Sequence, residues 1–159
     1  MKIVNLHALP EEERVSPKAK YQSFCKDVSV ALGGPKAIGA PGDAHPFDLQ
    51  IRRLPPGKSV CPCHSHTTQW ELFVIISGTA TVRRDGAVHQ VTAGDAFIHP
   101  PGVAHQITNA SVTDDLVVQI VANNPPMDLC HYPDSNKYGT RPLTKWFRLQ
   151  EADYFDGEE

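Results

Sequence analysis

The sequence has few of the features that mark membrane, secreted or nucleic-acid-binding proteins. No apolar run approaches the ~20 residues of a membrane span, and the segment from Met1 to Leu6 lacks the uninterrupted apolar core of a signal peptide. The formal net charge is −3 and the Lys and Arg residues are scattered, so no basic stripe is present to hold nucleic acid or a membrane surface. We therefore expect a cytoplasmic protein that binds a small molecule, with no nucleic-acid or membrane partner.

The sequence also lacks a disulfide framework. Its four cysteines do not have the spacing of paired cysteines in small secreted domains, and we expect reduced thiols. They are Cys25, Cys61, Cys63 and Cys130. Internal repeats and low-complexity tracts are absent too, which excludes solenoids and disordered linkers as the basis of the fold.

A convincing helical period is missing, and the chain from Phe47 onward consists of short alternating or apolar runs separated by turn signals. A chain of 159 residues suits one domain, which at this size buries roughly 68–70% of its unfolded surface. Eight predicted strands suit an all-β barrel. The strands are Phe47 to Leu54, Val60 to His66, Trp70 to Ile76, Thr79 to Arg84, Val88 to Thr92, Ala96 to His99, Val103 to Asn109 and Leu116 to Ala122.

The predicted organisation is an N-terminal arm at residues 1–45, a barrel at 46–123 and a C-terminal tail at 124–159 packed on the barrel. Within the arm, Lys2 to Leu6 and Val28 to Leu32 are weak strand candidates. Within the barrel, Asp85-Gly86 lies between two strands and predicts a type I′ hairpin turn, because both central residues of that turn need positive φ.

Three histidines and a glutamate form the candidate metal site. Side chains alternate along a strand, so His64 and His66 point to the same side and can grip one ion. Glu71 follows after enough residues to turn the chain back, and His105 follows the Pro100-Pro101-Gly102 turn on a later strand. Three imidazoles and a carboxylate suit one divalent transition-metal ion, without distinguishing Fe, Mn, Ni and Zn.

Cys61 and Cys63 offer a different interpretation of the same stretch, a zinc cluster of mixed sulfur and nitrogen ligands. On a regular strand both thiols point away from the face that carries His64 and His66. Ordinary packing of the thiols is therefore the expectation, unless a bulge changes the alternation.

The stretch from Gly57 to Asn109 resembles the two sequence motifs of the cupin superfamily. Gly57, His64, His66, Glu71 and Gly78 are similar to the first motif, and the second motif is matched by Gly94, Pro100, Gly102, His105 and Asn109. The resemblance implies a small single-domain bacterial-type cupin, whose fold is a double-stranded β-helix or jelly-roll barrel with the metal inside. It implies no single reaction.

Other candidate residues are less well defined. His99 precedes the Pro100-Pro101 turn and is a weak candidate for a catalytic proton carrier, although a structural role is the stronger expectation. The predicted substrate pocket contains polar and apolar residues of the barrel strands, and one bulge would reverse these assignments. Its residues are Gln50, Arg53, Phe73, Ile107 and Gln119.

The strand from Trp70 to Ile76 is apolar on both faces, so something must cover its outer face. The candidates are the N-terminal arm and a second copy of the chain, and we predict a homodimer. From the chemistry of such a metal ion, the leading hypothesis is a small metalloenzyme that acts on a polar, oxygen-rich metabolite by dioxygenation or isomerisation. The alternative is a non-catalytic cupin that binds or senses a metal or small ligand.

Overall fold

The computed structural model describes residues 1–35, 45–141, 143 and 145–159. Regular structure in these residues is nearly all β-strand. The first seven strands are β1 (Glu12–Val15), β2 (Gln22–Asp27), β3 (Phe47–Leu54), β4 (Ser65–His66), β5 (Glu71–Ser77), β6 (Thr79–Arg84) and β7 (Ala87–Thr92). The others are β8 (Ala96–His99), β9 (His105–Asn109), β10 (Leu116–Asn123), β11 (Asp128–Tyr132), β12 (Lys137–Arg141) and β13 (Lys145–Phe147). Two short helical turns complete the set, α1 (Val28–Ala31) and a 3-10 turn at Pro133–Ser135.

The strands form two facing layers. One layer is a six-stranded sheet in the order β1-β2-β3-β10-β5-β8. The other combines the sheets β7-β6-β9 and β13-β12-β11-β4, which meet where His64 and His105 form an antiparallel bridge. The predicted all-β double-stranded β-helix is therefore confirmed.

The hydrophobic core lies between the layers. Along β10, Leu116, Val118, Ile120 and Ala122 are buried and alternate with residues that are less buried, as a strand with one inward face requires. The core cluster comprises Leu54, Phe73, Ile75, Ala80, Val82, Ile107, Leu116, Val118 and Ile120.

The β6–β7 hairpin turns at Asp85 and Gly86, whose φ angles are +45° and +84°. Both values lie in the left-handed region that the type I′ turn requires. The register pairs Arg84 with Ala87, so the hairpin predicted from the Asp-Gly pair is confirmed.

The N-terminal arm adds two strands to the barrel, since β2 pairs with both β1 and β3. The strands expected at Lys2–Leu6 and Val28–Leu32 are wrong, because the first segment has no strand and the second contains α1. Asp27 accepts a hydrogen bond from the backbone N–H of Val30 and caps this turn, which Gly33 ends at φ +107°. Residues 36–44 of the predicted arm lie outside the described residues. No helix in the described part of the chain is long and apolar enough to span a membrane.

The strand expected from Val60 to His66 is also too long, because the structure has only Ser65–His66 as β4. Residues 61–63 form bends. Pro62 has no backbone N–H to donate to a neighbouring strand, which is consistent with the irregular backbone at this point. The alternation expected for Cys61 and Cys63 therefore does not hold.

The C-terminal segment builds a further part of the second layer. β11 pairs with β4 on one side and β12 on the other, and β13 follows β12. Cys130 lies opposite His66 in this register. Residues of the tail are therefore brought next to the candidate metal ligands, which sequence reasoning did not predict.

The outer face of β5 remains partly exposed. Leu72 and Ile76 are 37% and 50% exposed, and Ile98, which lies opposite Leu72 on β8, is 45% exposed. The strands of the arm add to the opposite edge of the sheet, beyond β3. The described part of the arm therefore does not cover this face.

Candidate metal centre

The four predicted ligands come from positions next to strand ends, and the fold brings them together. His64 and His105 exchange two backbone hydrogen bonds of 3.1 and 2.8 Å, so their side chains start from neighbouring chains. His66 ends β4, and Glu71 begins β5. His66 and His105 are almost fully buried, at 3% exposure each.

The ligand atoms approach one another closely. His64 Nε2 lies 3.1 Å from His66 Nε2, and His105 Nε2 lies 2.7 Å from Glu71 Oε2. His66 Nε2 is 3.7 Å from the same carboxylate oxygen. One ligand atom from each of His64, His66 and Glu71 fits within 4.8 Å of the others, as a shared ion requires.

The hydrogen-bond partner of Nδ1, the ring nitrogen that faces away from the site, identifies the tautomer of each imidazole. His64 Nδ1 lies 3.0 Å from the carbonyl oxygen of Pro62, and His105 Nδ1 lies 3.0 Å from that of Val103. A carbonyl oxygen only accepts, so each Nδ1 carries the hydrogen and donates it. His66 Nδ1 lies 2.5 Å from Asp128 Oδ2 and donates in the same way.

In their neutral forms, all three imidazoles therefore direct an Nε2 lone pair into the site. The fourth group there, Glu71, is a carboxylate that also only accepts. Four acceptors that face one another at these distances repel unless a cation or added protons lie between them. Three imidazole nitrogens and one carboxylate oxygen fit a divalent transition-metal ion.

The surroundings keep Glu71 ionised. Burial raises its pKa, but with no metal ion present a protonated His105 that donates to it, together with the charges of His66 and the other histidines, lowers it further, to a net value of about 2. A carboxylate rather than a carboxylic acid is the form that binds a metal ion.

Asp128 supports His66 from outside the site, and it belongs to no motif that sequence reasoning could identify. Besides the His66 ring, its carboxylate accepts hydrogen bonds from the backbone N–H groups of Thr67 and Thr68 at 3.0 and 2.9 Å. Burial raises the pKa of Asp128, and these hydrogen bonds from His66 and Thr68 lower it by more. Asp128 thus stays charged and orients the His66 ring.

Two cysteine side chains lie beside the histidines. Cys61 Sγ is 3.6 Å from His64 Nδ1, and Cys130 Sγ is 3.4 Å from His66 Nδ1. Burial raises the pKa of both thiols to about 12, and negative neighbours (Glu71 for Cys61, Asp128 for Cys130) raise it too. Cys130 donates its S–H to Asp128. In the absence of a metal ion both sulfurs therefore stay protonated, and Cys130 forms with His66 and Asp128 a second group of ligand atoms within 4.8 Å of one another.

His99 lies behind the metal site. Its ring stacks on His105 with centroids 3.9 Å apart and planes at 4°, and the edges of Phe73 and Phe97 pack around it. Burial and the neighbouring His105 lower the pKa of His99 to about 3. Its buried Nδ1 has no hydrogen-bond partner among the described residues. His99 is therefore neutral, and it does not line the cavity next to the metal ligands.

A cavity of about 490 Å³ lies next to the site and is bordered by His64, Glu71 and His105. Of the predicted pocket residues, Gln50, Phe73 and Ile107 line it, whereas Arg53 and Gln119 do not. Residues from the C-terminal strands also line it, among them Cys130, Tyr132, Arg141 and Trp146. The ring of Tyr132 stacks with that of His64 at a centroid distance of 5.8 Å.

Strand alternation explains why two of the predicted pocket residues, Arg53 and Gln119, do not line the cavity. On β3, Asp48, Gln50 and Arg52 line the cavity. Arg53 is three residues from Gln50 and therefore lies on the opposite face. There it pairs with Glu11 and Asp115. On β10, Ile120 and Ala122 line the cavity, so Gln119 has the outward parity.

The fold and the site together define a class of small β-barrels that carry three histidines and a glutamate at one end of the interior. The comparison with protein families agrees with this class, since residues 50–121 match the cupin domain. The protein therefore has the cupin fold.

Solved structures with the same fold cover most or nearly all of the chain. A sugar phosphate isomerase of the cupin superfamily from Silicibacter pomeroyi superposes with a TM-score of 0.76 and 19% identity, covering 98% of this chain and 94% of that one. A predicted oxalate decarboxylase from Thermotoga maritima superposes with a TM-score of 0.60 and 20% identity. The match covers 77% of this chain and 99% of that one. At these identities the two matches establish the fold alone.

One curated protein is similar in sequence. The oxalate-binding protein of Thermotoga maritima is 34% identical over 62 residues, which are 39% of this chain. The chain therefore spans about half the length of that relative, at 50% coverage.

Proposed function

We propose that this cupin holds one divalent transition-metal ion through His64, His66, Glu71 and His105 and binds a small oxygen-rich molecule beside it. The observation that carries the proposal is the approach of ligand atoms of His64, His66 and Glu71 to within 4.8 Å of one another, with His105 Nε2 2.7 Å from the Glu71 carboxylate. Fe, Mn, Ni and Zn all accept this ligand set. The ion and its ligand would occupy the cavity that His64, Glu71 and His105 border.

When bound, such an ion polarises a carbonyl or hydroxyl oxygen, lowers the pKa of bound water towards ~7, or, if redox-active, supports oxidation. The chain holds the ligands in place. Pro62 and Val103 carbonyls and the Asp128 carboxylate keep the three Nδ1 atoms protonated and the three Nε2 atoms free. Phe73 and Ile107 supply an apolar part of the cavity wall.

The reaction that we propose is dioxygenation or isomerisation of a polar metabolite that chelates the ion through adjacent oxygens. The cavity and the names of two similar proteins, a sugar phosphate isomerase and a predicted oxalate decarboxylase, support a small oxygen-rich metabolite, and the first name favours isomerisation. We also propose an alternative, non-catalytic binding or sensing, which the similarity to an oxalate-binding protein favours. The position of His99 favours it as well, because this acid–base candidate does not line the cavity.

The metal site is tested by replacing one ligand. His66→Ala removes an Nε2 donor, so purified protein should hold well below one ion per chain, as elemental analysis after growth in metal-supplemented medium would measure. His89→Ala is the matched control, because His89 is an exposed histidine on β7. Equal metal content in the two variants would contradict the proposal.

Catalysis and binding are separated with metal-loaded wild-type protein. Oxygen consumption in the presence of small hydroxy acids and keto acids would support dioxygenation, and interconversion of sugar phosphates would support isomerisation. If neither occurs while calorimetry detects binding of one of these compounds, the binding alternative is favoured.

We further propose a homodimer that buries the exposed face of β5 and β8. Leu72, Ile76 and Ile98 form an apolar strip on this face. A second copy of the same face would cover it with matching apolar surface, as in two-fold symmetric dimers.

A further inference from the structure

Arg52 is a partly buried cation that the metal-site proposal does not use. It lies on β3 with its side chain on the inward face, where it lines the same cavity as His64 and Glu71. Burial lowers the pKa of its guanidinium, and the acidic groups near it, which include Cys61 and Glu71, only partly offset this effect. A buried positive charge requires a compensating partner.

The partners that Arg52 has are neutral. Its Nε and Nη2 donate to Gln50 Oε1 at 3.1 and 2.7 Å, and its Nη1 donates to Ser23 Oγ at 3.1 Å. A guanidinium has five N–H groups. Two of them, one on each Nη, therefore have no acceptor among the described residues.

The described carboxylates that line the cavity form no close ion pair with Arg52. Asp27 pairs with Arg14 at 3.6 Å. Asp48 accepts a hydrogen bond from Gln50 instead, and burial together with the charge of Asp27 raises its pKa. Among the described residues, ion pairs of 4.0 Å or less join no carboxylate to Arg52.

A second guanidinium borders the same space. Arg141, at the end of β12, lines the cavity. The positive charges of Arg52 and Arg141 both lower the pKa of Cys61 against the larger effect of burial. Both arginines thus border the cavity that His64 and Glu71 also border.

We propose that the cavity binds a small anion whose carboxylate or phosphoryl group pairs with the two free N–H groups of Arg52. Arg141 adds a second positive charge, and a further oxygen of the same molecule reaches the His64–Glu71 end. The contact of that further oxygen with the His64–Glu71 end rests on the proposed function, because it presupposes the metal ion. The pairing of the anion with Arg52 does not presuppose a metal ion.

Planar guanidinium groups bind carboxylates and phosphates through two parallel N–H···O bonds. The negative charge of such an anion would also compensate the positive charge of Arg52 inside the cavity. A neutral polyol offers neither the charge nor the two acceptor oxygens on one atom. The structure therefore favours an anion over a neutral sugar.

The test is calorimetric binding of oxalate, inorganic phosphate and glycerol to metal-free and metal-loaded protein. We expect at least one of the two anions to bind in both forms and glycerol not to bind. Whichever anion binds more tightly indicates whether a carboxylate or a phosphoryl group is preferred. Absence of anion binding in both forms, or equal binding of glycerol, would overturn the proposal.

Variants locate the binding group. Arg52→Gln should weaken anion binding by roughly tenfold or more, because a charge-assisted bond is lost. Arg52→Lys keeps the charge without the fork and should give an intermediate loss. Arg53→Gln is the matched control, since Arg53 is the next residue on β3 and lies on the opposite face. Equal affinity in Arg52→Gln and Arg53→Gln would refute the role of Arg52.

The two proposals fail separately. If wild-type protein binds no metal ion, the proposed metal site is refuted. The anion-binding measurement on metal-free protein still tests the role of Arg52 in that case. Unchanged metal content in Arg52→Gln, together with its weaker anion binding, would show that the variant folds and that Arg52 acts on the anion rather than on the metal ligands.

Discussion

At the residue scale, the candidate metal site is set by the outer nitrogens of three histidines. Two of them donate to backbone carbonyls only two residues away, at Pro62 and Val103. The third, on His66, donates to the Asp128 carboxylate from a distant part of the chain. Local backbone therefore orients two ligands, and the C-terminal strands orient the third.

The Asp128→Asn variant tests whether the Asp128 carboxylate orients His66 for metal binding. The asparagine has a similar shape but no charge, so the His66 ring should be less strongly held and the metal affinity should fall by about 10- to 100-fold. Competition with a chelator of known affinity measures the change. Asp134→Asn removes an exposed carboxylate that pairs with Arg83 and serves as the control. Equal affinities in the two variants would show that Asp128 does not act on the site.

At the element scale, glycine turns set how the strands of the barrel follow one another. Gly78 joins β5 to β6 at φ +87°, and Gly86 joins β6 to β7 at φ +84°. Both angles favour glycine. The surroundings differ, because a Cβ on Gly78 would lie 2.8 Å from the Asp115 carbonyl oxygen, whereas one on Gly86 would meet nothing within 4 Å.

Alanine substitutions separate backbone strain from a steric clash. Gly86→Ala should lower the free energy of unfolding by about 1–2 kcal/mol, from the left-handed conformation alone. Gly78→Ala should lower it further, by roughly 1–3 kcal/mol more, because a backbone oxygen must also move. Chemical denaturation of both variants measures the difference. Equal destabilisation would mean that the chain near Asp115 adjusts without cost.

The sequence patterns also differ in how accurately they predicted the bounds of the strands. The bounds of β3, β6 and β8 match the strands predicted from alternation and turn residues. The strand predicted from Val60 was too long because Pro62 lies within the run. The bends there turn Cys61 towards the cavity, where a regular strand would have placed it outside.

At the scale of the whole molecule, the sheet leaves one apolar face without a cover in the described residues. This face consists of β5 and β8 and includes Leu72, Ile76 and Ile98. An exposed apolar face of this kind is typical of an interface with another protein surface. The homodimer remains a prediction.

A charge placed in the strip should prevent association. Wild-type protein should sediment as a dimer at micromolar concentration, and Ile98→Asp should sediment as a monomer because two carboxylates would face apolar surface. Val112→Asp is the control, since Val112 is 90% exposed in the loop between β9 and β10. A monomeric wild-type protein would contradict the dimer.

The sequence by itself determined the cupin barrel, its Asp85-Gly86 hairpin and the four candidate ligands, because alternation, turn residues and motif spacing are local properties of the chain. Only the tertiary structure decided that Asp128 supports His66 and that Arg52, rather than Arg53, enters the cavity. Asp128 is 62 residues from its partner and belongs to no motif. The choice between adjacent arginines depends on strand parity, which a single bulge or bend reverses and which packing against the opposite sheet settles.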